Sequence, residues 1–326
     1  MDTATTWKDK RVLVTGADGF MGSHLTERLL DLEARVTVLV RGTSNSGTTQ
    51  YKLKNISHVV DRLEDIIAVD IGAGDSIKLI KDNDPQTIFH LAAIAYVPYS
   101  FDRPREVHRS NVVGTLNVLD AAREIRGLER LVVTSSSEVY GTAEAEAEAI
   151  DEAHPMNPTS PYSASKVAAD RYAYSYWRTY GLPIAIIRPF NYYGPRHIYD
   201  VIPKFIGMVL RGEPPTIYGT GEQSRDMTYV DDIVEAFLAM GSHERAVGEV
   251  VNFGTGRDVT IKEVAHKIID ISGVALEPVY LKERTAEVQR LCCDYSKARE
   301  LFGWEPKVSI DEGLQRNIAW CKEHWL

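Results

Sequence analysis

The sequence predicts an α/β fold in which a doubly wound parallel sheet is followed by a smaller C-terminal mixed α/β lobe. Three observations carry that prediction. Short apolar runs at 12–15, 36–40, 66–69, 87–91, 131–134 and 184–187 alternate with helical stretches, as strands do when right-handed crossovers join them. The first run leads directly into a glycine-rich turn and an amphipathic helix. From Asn191 onward the alternation stops, because Pro195, Pro203, Pro214 and Pro215 break the chain into short pieces.

Each element has its own signal. Residues 11–15 read as a buried strand, and Gly16-Ala17-Asp18-Gly19-Phe20-Met21-Gly22 opens a helix with Met21, Leu25 and Leu29 on one face. Gly16 permits the tight turn, Gly19 lets backbone approach a pyrophosphate, and Gly22 allows close helix packing. The helix N-terminus then faces phosphates, so this half of the chain is read as a Rossmann dinucleotide site. In such sheets ligands sit beyond the strand C-termini, which is where Ser136 and Glu138 fall. Residues 143–149 alternate alanine and glutamate and read as a solvated loop. Residues 1–190 are assigned to the dinucleotide-binding domain, with returning segments near 226–255, and 191–326 mainly to the interleaved second lobe. Within that lobe helices are expected at 260–271, N-capped by Thr260, and at 311–323.

Composition limits the function classes. The chain has 326 residues, 44% of them hydrophobic, and a formal net charge of -9; an acidic surface argues against nucleic acid as the main partner. Its three cysteines, Cys292, Cys293 and Cys321, have no zinc-like spacing and read as structural thiols, with no metal site expected. No stretch approaches a membrane span and the N-terminus lacks a basic segment followed by an apolar run, so a soluble, cytoplasmic protein is expected.

The chemistry concentrates in Thr134-Ser135-Ser136-Ser137-Glu138-Val139-Tyr140-Gly141 and in Tyr162-Ser163-Ala164-Ser165-Lys166. Together they offer a hydroxyl, a carboxylate, a phenol and an ammonium. One helical turn separates Tyr162 from Lys166, whose charge favours the phenolate and equips the tyrosine as a base near neutrality.

With both sites placed, the chain resembles the extended short-chain dehydrogenase/reductase family, and within it the nucleotide-sugar epimerases and dehydratases. Beyond the two sites the resemblance rests on Phe89-His90-Leu91-Ala92-Ala93, on Asn111 in Asn-Val-Val-Gly-Thr, and on three further runs, 188–196, 225–232 and 294–298. It implies that Tyr162 is the acid/base, that Lys166 also binds the nicotinamide ribose, and that Ser136 bonds the sugar 4-oxygen. Cofactor contacts are implied for Gly16, Gly19, Phe20, Met21, Gly22, Asp70, Ile71, Leu91, Ala92, Ala93 and Asn111. Ser137, Asn191, Arg225 and Arg284 are implied to hold a nucleotide-diphosphate sugar, and a homodimer through helices near 105–122 and 163–180 is expected.

Two positions refine that picture. Glu138 places a carboxylate where simple 4-epimerases of the family carry a small or apolar residue, so it implies a nucleotide-sugar 4,6-dehydratase in which Glu138 removes the carbon 5 proton as water leaves carbon 6. Ser137-Glu138 is similar to the GDP-mannose 4,6-dehydratases and to the N-acetylglucosamine 4,6-dehydratases of legionaminic acid-type pathways. An epimerase or a UDP-glucuronate decarboxylase is the alternative, and a non-catalytic dinucleotide sensor a distant one. Arg41 ends the second strand where NAD-selective members carry an acidic residue, so NADP is expected in preference to NAD.

Overall fold

The computed structural model describes residues 6–41, 43–45, 48–50, 53–142, 149–283 and 288–325, which fall into two compact units. One comprises Met1–Ser136, Ser160–Arg188 and Val234–Val250, and the other Ser137–Thr159, Pro189–Ile233 and Val251–Leu326.

The first unit is built on β1 (Arg11–Thr15), β2 (Arg35–Val40), β3 (Asp65–Ala68), β4 (Thr87–His90), β5 (Arg130–Thr134) and β6 (Ile184–Pro189). These strands are parallel and lie in the order β3-β2-β1-β4-β5-β6, the arrangement of dinucleotide-binding sheets, with a topological switch point between β1 and β4. Beyond β6 the Glu249 carbonyl accepts from the Ile186 N–H at 2.9 Å. Both faces of the sheet are covered, which is why the central strands read as unbroken apolar runs. On one face the register aligns Leu13, Ile88, Leu131 and Ile184. They pack with Ile80 of α2 (Asp75–Asn83) and Val118, Leu119 and Ala122 of α3 (Gly114–Glu124). On the other face Phe89 meets Trp7 at 5.7 Å and Phe237 at 6.3 Å between ring centroids.

Helix α4 (Pro161–Tyr180) begins with a capping box: the Ser163 N–H donates to Ser160 Oγ and the Ser160 N–H to Ser163 Oγ, so two otherwise unbonded backbone donors are satisfied. Gly181, with φ of 66°, ends the helix in the left-handed region. Midway along it Asp170, fully buried, accepts from Arg188 Nε at 2.9 Å and Arg188 Nη2 at 3.2 Å. The arginine beside it holds the Asp170 carboxyl below its usual range.

In the second unit Ser224–Asp226 lies between Asp258–Thr260 and Arg290–Leu291 in a short mixed sheet. Helices Val201–Leu210, Ile261–Ser272 and Ile310–Trp325 belong to the same unit. The expected Thr260 cap is present and reciprocal, with the Glu263 N–H donating to Thr260 Oγ1 at 3.1 Å and the Thr260 N–H to Glu263 Oε2 at 2.8 Å. The three cysteines are buried free thiols. Among the described residues no helix is long and apolar enough to cross a membrane.

Removing one member of a buried ion pair strands the other, at a cost of about 3–5 kcal/mol. Asp170→Ala is therefore expected to lower unfolding free energy by about that much in urea melts, and a loss under about 1 kcal/mol would refute the role given to the pair.

Candidate active site

The glycine turn is shaped by backbone packed on backbone. Gly16 has φ of 72° and its N–H donates to the Leu39 carbonyl at 3.0 Å. A Cβ on Gly16 would lie 2.8 Å from the Ala92 nitrogen, and one on Gly22 would lie 2.2 Å from the Gly16 carbonyl oxygen. Gly19 stands at the N-cap of helix α1 (Phe20–Asp31), whose Met21 is buried. The turn thus leads straight into a helix N-terminus, whose first N–H groups have no partner within the helix. Beside the turn lies a cavity of about 440 Å³ lined by Gly16, Leu39, Arg41, Val69, Asp70, Ile71, Ala92, Ala93, Ile94, Glu106, Arg109 and Ser110. A turn with no room for side chains, a helix N-terminus and a cavity beside Gly16 fit a dinucleotide.

Six residues assigned to the cofactor from sequence, Gly16, Arg41, Asp70, Ile71, Ala92 and Ala93, thus meet in one wall. Leu91 follows β4, and its N–H donates to the Thr15 carbonyl at 3.2 Å. Phe20 opens α1. Asn111 is placed differently: its Oδ1 accepts from the Ile94 N–H at 2.8 Å, while Nδ2 donates to the Ile94 carbonyl at 3.1 Å and to Ser165 Oγ at 2.9 Å. It braces the cavity wall. Glu106, Arg109 and Ser110, also in that wall, were missed by sequence reasoning; Arg109 and Ser110 directly precede Asn111.

Ser136, Tyr162 and Lys166, the residues expected to carry the chemistry, all lie in this unit and are at least nine-tenths buried. Lys166 Nζ donates to the Thr134 carbonyl at 2.9 Å, which ties α4 to the end of β5. Burial pushes the Lys166 ammonium down to about 8, with Asp170 opposing the shift. Next in the chain, Ser135 Oγ is also buried and has no partner among the described residues.

Other expected residues lie in the second unit. Ser137 and Glu138 start the short helical turn Ser137–Tyr140, with Ser137 buried and Glu138 half-buried. The turn is fixed within its own unit, since Tyr140 donates to Asn252 Oδ1 at 2.7 Å and the Asn252 N–H donates to Glu152 Oε1 at 2.7 Å. Asn191 Oδ1 is buried with no partner among the described residues. Arg225 is buried, and its strand is locked by Asp226, which accepts from the N–H groups of Thr255, Gly256 and Cys293 at 2.7, 2.9 and 3.1 Å. Arg284 lies outside the described residues, as does 143–148 of the expected loop.

A model of the family described as GDP-mannose 4,6 dehydratase matches residues 13–317. UDP-glucose 4-epimerase of Mycolicibacterium smegmatis is 36% identical over 317 residues, covering 96% of this chain and 98% of that protein. Among solved structures, UDP-glucuronic acid 4-epimerase of Bacillus cereus, in complex with UDP-glucuronic acid and NAD, has a TM-score of 0.86 and 31% identity over 96% of this chain and 99% of that one. The dTDP-glucose 4,6-dehydratase DesIV of Streptomyces venezuelae, with NAD and TYD bound, also has a TM-score of 0.86 and 31% identity, over 96% and 97%.

These findings correct the expectation of NADP, because the dinucleotide named in both structures is NAD. The cavity shows why Arg41 misleads. Its guanidinium is 70% exposed and leans to Asp70 at 4.0 Å, and Arg109 approaches the same carboxylate at 3.8 Å. Two carboxylates, Asp70 and Glu106, share the wall with two guanidiniums. A 2'-phosphate there would meet a balanced charge in place of a cationic pocket.

Because Lys166 titrates near 8 in the folded chain against 10.5 for a free lysine, the unfolded chain holds the extra proton between those values and stability rises with pH across that window. Between about pH 7 and about pH 9.5 the parent should gain on the order of 2 kcal/mol relative to Lys166→Met in urea melts. A parallel pH response in the two proteins would refute the buried ammonium.

Proposed function

The chain belongs to the NAD(P)-dependent nucleotide-sugar epimerase/dehydratase family of extended short-chain dehydrogenases/reductases, and we propose that within it this protein is a nucleotide-sugar 4-epimerase using NAD. Family membership makes it an enzyme of oxidoreduction or isomerisation on nucleotide-diphosphate sugars. One observation carries the finer reading: 36% identity to a UDP-glucose 4-epimerase across 98% of that protein, in a chain that retains Ser136, Tyr162 and Lys166.

When bound, NAD supplies the acceptor and donor of hydride. The chain's own residues handle the proton and the binding. Tyr162 takes the proton of the sugar 4-hydroxyl and later returns it, while the Lys166 ammonium, one turn along α4, favours the charge left on the ring oxygen. Ser136 holds the 4-oxygen by a hydrogen bond. Ser137, Asn191, Arg225 and Arg284 are assigned to the nucleotide-diphosphate sugar, where guanidinium forks match diphosphate oxygens.

The second reading, a 4,6-dehydratase, is favoured by Glu138. Epimerisation at carbon 4 gives that carboxylate no proton to move, whereas dehydration uses it at carbon 5. The relatives include epimerases, dehydratases and a UDP-glucuronic acid decarboxylase, and isomerisation is the better supported. A homodimer is inferred as well: Tyr172, Tyr174 and Tyr180 are exposed along α4, the helix expected at the contact.

Incubation with a panel of UDP-, GDP-, CDP- and dTDP-sugars, followed by mass spectrometry and chromatography, separates these readings. The expected product is a new isomer of unchanged mass, formed equally by Glu138→Gln. Loss of water, abolished by Glu138→Gln, would establish the dehydratase in its place, and loss of carbon dioxide a decarboxylase. Tyr162→Phe should lower turnover about 100-fold or more while NAD remains bound. Light scattering at micromolar protein is expected to give twice the chain mass, and a monomer would remove the dimer.

A further inference from the structure

A chain of buried hydrogen bonds crosses the first unit at a residue to which the function above gives no role. His90, at the end of β4, is 3% exposed. Its Nδ1 lies 2.8 Å from Thr15 Oγ1 on β1, and its Nε2 lies 3.0 Å from Thr115 Oγ1 on α3. The directions of these bonds follow from counting protons. Thr115 Oγ1 spends its single hydrogen on the Asn111 carbonyl at 2.6 Å, so it can only accept from His90 Nε2. Burial and the nearby Lys166 charge push the ring down to about 3, so it is neutral and carries its one hydrogen on Nε2. His90 Nδ1 therefore accepts from Thr15, whose oxygen in turn accepts from the Ala92 N–H at 3.1 Å.

Followed outward, both ends of this chain reach the cavity. Thr15 holds Ala92, and Asn111 holds Ile94 through both its amide groups, so residues 91–94 are fastened at two points. Ala92, Ala93 and Ile94 are wall residues of the cavity, and Ala92 is the backbone that Gly16 approaches most closely. Asn111 continues to Ser165 Oγ, which donates to the Tyr162 carbonyl at 2.6 Å. An apolar side chain of the same volume would fill the space of His90 and make none of these connections.

We propose that His90 is a positioning residue for dinucleotide binding, acting as a neutral, single-tautomer bridge that fixes segment 91–94 against β1 and α3. The inference rests on the assignment of the cavity to NAD. It separates affinity from stability: a merely structural histidine would cost folding free energy and leave the affinity of the folded protein unchanged.

The test is NAD affinity, measured by calorimetry on the full chain alongside urea melts, for the parent, His90→Leu, His90→Gln, Thr115→Val and Thr115→Ser. The amide nitrogen of Gln reaches the place of Nε2 and restores donation to Thr115, and Ser retains the hydroxyl that Val removes. His90→Leu and Thr115→Val are expected to bind NAD roughly tenfold more weakly, the scale of a broken buried hydrogen bond. Thr115→Ser should stay within about threefold of the parent, and His90→Gln, which restores the Thr115 bond but not the Thr15 bond, should bind more tightly than His90→Leu and more weakly than the parent. Unchanged NAD affinity in folded His90→Leu overturns the proposal, and if that variant fails to fold, unchanged affinity in Thr115→Val does so. A parent that binds no NAD instead overturns the assignment of the cavity.

Discussion

A cation kept out of water organises the first unit. Among the described residues Lys166 has one hydrogen-bond acceptor, the Thr134 carbonyl, and one compensating charge, Asp170, a turn further along α4. Desolvating an ammonium is tolerable only when such partners are fixed in place. Asp170 is fixed by Arg188 on β6, so the helix is anchored to two neighbouring strands by charge-assisted bonds. Those anchors set where α4 starts relative to the sheet edge. The capping box at Ser160 and Ser163 then places Tyr162 in the first turn.

The cofactor side is governed by exclusion. A Cβ on Gly16 would run into Ala92 and one on Gly22 into the Gly16 carbonyl, so only glycine lets these backbone segments pack together. In the wall of the adjoining cavity Arg41 and Arg109 both approach Asp70, at 4.0 and 3.8 Å, and Glu106 is a further carboxylate there. Carboxylates and guanidiniums therefore offset one another along that wall.

Much of this was legible in the sequence. Apolar periodicity located the six strands to within a residue or two, because a strand buried on both faces leaves an unbroken apolar run. The glycine turn was equally clear, since its residue types follow from steric need. The NADP expectation drawn from Arg41 failed because a sequence shows a charge without the carboxylate that folds near it. Asn111 was recognised as a site residue, but its amide turned out to brace Ile94. His90 was visible within an alanine-rich run and gave no sign of its partners, since Thr15 and Thr115 are distant in the chain and met only when β1, β4 and α3 assembled.

The order of segments has a consequence for synthesis. Phe89 and Trp7 lie on the sheet face that Phe237 covers, and Phe237 belongs to the last stretch of the first unit, Val234–Val250. A chain emerging from the ribosome completes all six strands and still lacks that cover, because the intervening residues 189–233 belong to the other unit. Throughout that interval the nascent protein presents an aromatic, water-exposed face. Exposed apolar surface of this kind is what makes incompletely folded chains prone to aggregate until the missing segment arrives.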